Sequence, residues 1–164
     1  MTTSSRASDD TTLDAPDALR AKADADAVNA DLSGILDTVD LPIVLIGRDC
    51  TVTRFNRAAE TALGFRPDDL RRPLGDIRLP VDMPDLQSHC TRVIADGVPI
   101  RREVRDAERW FLLRIAPYRG SDHQIHGAVL TFNNVTAFRA SVEQALYERE
   151  YTKAILNTII EPLV

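Results

Sequence analysis

The side chains most able to bind a metal or attack an electrophile are three histidines and two cysteines, and their spacing argues against both chemistries. Cys50 and Cys90 stand 40 residues apart with no second pair. That is neither a zinc spacing nor a disulfide framework, so a reducing cytoplasm is the expected location. His123 and His126 flank a turn at Asp122-His123-Gln124 and read as solvated side chains, with no third ligand nearby to complete a zinc site. The chain lacks a Walker-type glycine loop, a His-Glu-x-x-His and a Gly-x-Ser-x-Gly. No catalytic residue and no metal ligand is assigned, and the expectation is a non-catalytic stretch.

The remaining candidates are apolar residues on strands and a polar step where a strand runs into a helix. Successive strand residues face opposite sides of a sheet. Phe111, Leu113 and Ile115 therefore share one face, and Trp110, Leu112 and Arg114 the other. Ala128, Leu130 and Phe132 likewise separate from Val129 and Thr131. Phe111, Leu113, Ile115, Leu130 and Phe132 are the candidates for lining a ligand pocket, and they are equally suited to making the core. The stretch 126–132 is apolar and rich in β-formers, Asn133 to Thr136 are poor helix formers but good caps, and a helical run follows through Leu156. A buried strand feeding an exposed helix is a mechanical coupling, which points to signalling.

Several elements must position these residues. Residues 1–13 have almost nothing to bury and are expected to be disordered. A helix is expected over 14–40, where Ala18, Ala21, Ala25, Val28, Leu32, Ile35 and Val39 keep a heptad spacing. Both a self-associating coiled coil and an amphipathic helix lying on its own domain satisfy that pattern. Leu41 to Ile46 and Thr51 to Asn56 read as a hairpin. Short helices follow, at Arg57 to Leu63 and from Pro67, then a longer one from Pro84 to Gly97. Ile100 to Asp106, Arg109 to Tyr118 and Ile125 to Asn133 complete an α+β domain, one five-stranded antiparallel sheet with its helices on one face. The exit helix is expected over 137–158, with Glu148-Arg149-Glu150 a charged break in its centre. Helices with heptad-like spacing at both ends suggest a parallel homodimer.

Charge narrows the partners. Residues 1–40 carry nine acidic and three basic side chains, a net of -6, so the chain's net charge of -5 belongs to the N-terminal segment and the remainder carries +1. A near-neutral remainder lacks the concentrated positive field that nucleic acid binding needs. No apolar run approaches the ~18 residues of a membrane span. Residues 35–44 and 155–164 match at five of ten positions with an offset of 120, which suggests tandem domains and a second copy beginning at 159–164.

The sheet order, the short helices between the second and third strands and the Asn56-Arg57-Ala58-Ala59 step resemble the PAS family of sensory domains. Arg109 to Arg119 and Gly127 to Thr136 are similar to the last two strands of one subgroup, found in bacterial chemotaxis methyltransferase/methylesterase fusions and multi-PAS histidine kinases. The resemblance implies a PAS core over 41–136 and a transmission role for Asn134, Val135 and Thr136, where the family usually has Asp-Ile-Thr. Asn134 cannot form the ion pair that an aspartate could. Thr136 is expected to cap the helix by accepting an N–H near Arg139. The family can hold heme, flavin or small acids. The flavin-type cysteine setting is absent, however, and His89 lies about one helical turn from the heme subgroup's position. No cofactor is named. The implied function is a sensory or relay domain passing a conformational signal to a downstream PAS and an output domain such as a histidine kinase, with a small-molecule ligand as a further candidate partner. The alternative is a ligand-free dimerisation and spacing module.

Overall fold

The computed structural model describes residues 14–160. The expected disorder of 1–13 and residues 161–164 of the suggested second domain lie outside that range. Two compact units divide the chain after Thr38. In the first, a helix α1 spans Asp14–Asp37, and Gly34 is carried within its last turn without ending it. The Thr38 hydroxyl closes the helix by donating to the Ile35 carbonyl at 2.7 Å. Val28, Leu32 and Ile35 of the heptad seam are exposed.

The second unit holds strands β1 (Ile43–Gly47), β2 (Val52–Phe55), β3 (Ile100–Arg105), β4 (Trp110–Arg119) and β5 (Ile125–Asn134). Helices α2 (Arg57–Leu63) and α3 (Leu86–Asp96) lie between β2 and β3, and α4 (Thr136–Ile160) follows β5. The sheet has the order β2-β1-β5-β4-β3 with antiparallel neighbours. The strand that becomes the exit helix is therefore central, bonded to β1 on one side and β4 on the other.

One sheet face carries Val44, Ile46, Phe111, Leu113, Ile115, Leu130 and Phe132 into a core completed by Leu63 of α2 and by Cys90 and Val93 of α3. Phe111 and Phe132 meet edge to face at 6.5 Å, the geometry that aromatic quadrupoles favour. Asn56 is buried and joins three segments. Its Oδ1 accepts from Ile43 N at 2.9 Å and from Ala59 N at 3.1 Å, capping α2. Its Nδ2 donates to the Leu41 carbonyl at 2.8 Å. Gly64 ends α2 with φ +77°, a conformation open to glycine at no steric cost. The broken stretch after α2 has a structural use. Val52 N donates to Arg72 O and Arg71 N to Val52 O, so this loop covers the free edge of β2.

Candidate functional site

The three residues of the strand-to-helix step form a compact hydrogen-bond node. Asn134 Oδ1 accepts from Thr136 N at 3.1 Å and from the Thr136 hydroxyl at 2.7 Å. The same hydroxyl accepts the backbone N–H of Trp110 at 2.9 Å, and Val135 N donates to Trp110 O at 2.8 Å. Thr136 thus ties the first turn of α4 to β4. This corrects the expected cap, because Arg139 N bonds Val135 O at 2.9 Å in the helix's own ladder. Asparagine satisfies the step because an Asx turn needs an acceptor oxygen, which Asn and Asp both supply.

Trp110, at the start of β4, is fixed from two directions. Its neighbour Arg109 belongs to a tight turn in which the Asp106 carboxylate accepts from Glu108 N at 3.0 Å and from Arg109 N at 2.7 Å. Burial pushes the Asp106 carboxyl up, but those two amides and the Arg109 guanidinium outweigh it and hold the group below its usual range. Arg109 Nη2 also reaches the Ala62 carbonyl of α2 at 3.0 Å. From the helix side, the Arg139 guanidinium lies over the indole, with Cζ 3.9 Å from the ring centroid. It also bonds Glu103 of β3 at 2.5 Å. Sequence reasoning missed Glu103 and Arg139, which meet only once β3, β4 and β5 are in register.

The five pocket candidates, Phe111, Leu113, Ile115, Leu130 and Phe132, share one sheet face and are at most 1% exposed. They pack in the core cluster, and the grooves described next are lined by other residues. Under the first turns of α4, on the opposite face of the sheet, Leu112, Val135, Phe138, Val142 and Leu146 line an apolar groove of about 360 Å³. A second groove, of about 470 Å³, lies where Leu74 to Ile77 meet the start of α3 and carries Arg78, Asp82 and Gln87. His89 is half-buried on α3. Among the described residues no group of three His, Cys, Asp or Glu side chains is placed to hold a metal ion, and no helix is long and apolar enough to cross a membrane.

A central strand feeding a helix beside an antiparallel five-stranded sheet defines a PAS-type α+β module. The chain belongs to the PAS domain family, whose profile matches residues 32–136. An uncharacterized 104.1 kDa protein in the hypE 3′ region of Rhodobacter capsulatus is 33% identical over 112 residues. The match covers 68% of this chain and 12% of that protein's length. Among solved structures, the PAS domain of the histidine kinase ThkA aligns with TM-score 0.50 and 24% identity, over 57% of this chain and 98% of that one. A phage VqmA in complex with DPO aligns with TM-score 0.56 and 14% identity, over 76% and 60% respectively. Both are likenesses of fold.

Proposed function

We propose that this chain is a sensory or relay module of a cytoplasmic bacterial signal-transduction protein. It contributes no catalysis itself, dimerises through α1 and α4, and passes conformational bias through Asn134, Val135 and Thr136 into α4. The recipient is a following PAS domain, begun at 159–164, and beyond it an output domain such as a histidine kinase. The observation that carries this reading is the Thr136 hydroxyl, which accepts from Trp110 N on β4 and donates to Asn134 on β5. A displacement of either strand therefore reaches the first turn of the helix.

The test replaces Thr136 with alanine and Asn134 with aspartate and follows α4 by residue-resolved hydrogen exchange. Thr136→Ala is expected to loosen the first turns of α4 with the sheet unchanged, and exchange unaltered along α4 would contradict the relay. The spacer reading draws support from the close packing of the five pocket candidates. A metabolite library that produced no shift in melting temperature would favour it, because a ligand at 100 times its Kd adds about 2.7 kcal/mol. A visible absorption band in the purified protein would instead assign a heme or flavin.

A further inference from the structure

We propose that Arg139, held between Trp110 and Glu103, is a positioning residue that latches the first turns of α4 to the sheet. The inference rests on the relay reading of the junction and adds a second, electrostatic tie one turn beyond Thr136.

Apolar burial does little to hold this part of the helix. Phe138 is 69% exposed, and Val142 and Leu146 also face solvent. The contacts made by Arg139 are of another kind. Its Cζ sits 3.9 Å from the Trp110 ring centroid and its Nη1 2.5 Å from a Glu103 carboxylate oxygen. Its Nε is buried without a hydrogen-bond partner, as expected for a guanidinium laid on an indole face and turned away from water. A planar guanidinium can stack and bond a carboxylate at once, which a lysine cannot do equally well. Glu103 belongs to β3, the edge strand, whereas Thr136 bonds β4. Two ties to different strands fix the rotation of α4 as well as its position.

A partly exposed stack and an exposed ion pair each shift an equilibrium ~2-fold to ~5-fold. Together they are enough to bias α4 toward one orientation and weak enough to be released. Asn134 brings no charge to the junction, and the Arg139–Glu103 pair supplies one between helix and sheet.

The experiment uses the 164-residue chain, whose single tryptophan is Trp110 and so reports on the latch directly. Arg139→Gln, Glu103→Gln and the double variant are compared by hydrogen exchange of amides 140–146 and by tryptophan emission, at low and high salt. The latch predicts that each single variant loses ~3-fold protection there and that the double loses no more than Arg139→Gln alone. High salt should shrink the wild-type advantage, and Arg139→Gln should shift the Trp110 emission to longer wavelength. Unchanged α4 protection and emission would overturn the proposal. So would a loss spread equally over sheet and helix, which marks an ordinary stability contact. If Arg139→Gln does not fold, Glu103→Gln, at a more exposed site, carries the same comparison. An intact Thr136 effect alongside silent Arg139 variants would remove the latch and leave the relay. A confirmed latch with no effect of Thr136→Ala would do the reverse.

Discussion

Asn56 is the polar side chain that most of the chain entry depends on. It satisfies Ile43 N and Ala59 N and donates to Leu41 O from a buried position. Truncating it takes a partner from the part-buried Ile43 N and Leu41 O, each worth ~1 kcal/mol or more, and removes the side-chain cap of α2. Asn56→Ala is expected to cost about 3 kcal/mol in urea unfolding, and Asn56→Asp, which keeps only the acceptor, should fall between it and the wild type. Cys90 makes a prediction of a different sort. Burial, and next the neighbouring Cys50, push its thiol up to about 12 from 9.0. The folded state keeps the proton while the unfolded chain releases it, so this contribution to stability is complete below pH 9 and declines from there to about pH 12. The slope is at most ~1.4 kcal/mol per pH unit. Cys90→Ala should flatten that part of the pH–stability curve. Both thiols should resist a disulfide-exchange reagent at neutral pH until the protein is unfolded, since both are buried.

At the scale of elements, the central strand β5 and its helix depend on small steric and polar details. A Cβ on Gly127 would lie 1.9 Å from Ile46 O, so glycine is what allows β5 to approach β1. Gly127→Ala is expected to destabilise by ~2 kcal/mol or more in thermal unfolding, because the nearest atom is backbone and cannot swing away. At the other end of β5, Thr136→Ala should cost about 1 kcal/mol while Thr136→Ser recovers most of it, since only the hydroxyl bonds Trp110 N and Asn134. The strands and the stop of α2 at Gly64 were legible because period-two alternation and a glycine C-cap are local signals. The direction in which Phe111, Leu113 and Ile115 point was not, because alternation divides a strand into two faces without saying which one the helices cover. The partner of Thr136 was missed for a related reason. A hydroxyl before a helix reads as a cap, and only the pairing of β4 with β5 brings Trp110 N to it. Arg139, Trp110 and Glu103 carry no pattern at all in one dimension.

For the whole molecule, the exposed apolar residues of α1 and α4 set the expectation. Val28 and Ile35 on the first helix, and Phe138, Leu146 and Leu156 on the last, face solvent in the single chain. Extended apolar stripes of this sort mark association surfaces. Sedimentation at micromolar concentration is expected to give a dimer that weakens when residues 14–39 are removed, and a monomer unaffected by that deletion would refute dimerisation through α1. The central claim is that strain in the sheet reaches α4 through the junction. A coupling measurement tests it most directly. Phe132 lies on β5 within the core, two residues before Asn134, and Phe132→Leu perturbs the sheet mildly. Hydrogen exchange along α4 is measured for the wild type, Phe132→Leu, Thr136→Ala and the double variant. The account predicts that Phe132→Leu alters protection in α4, and that this response disappears when Thr136 is alanine. Strictly additive effects, or a helix indifferent to Phe132→Leu, would contradict it.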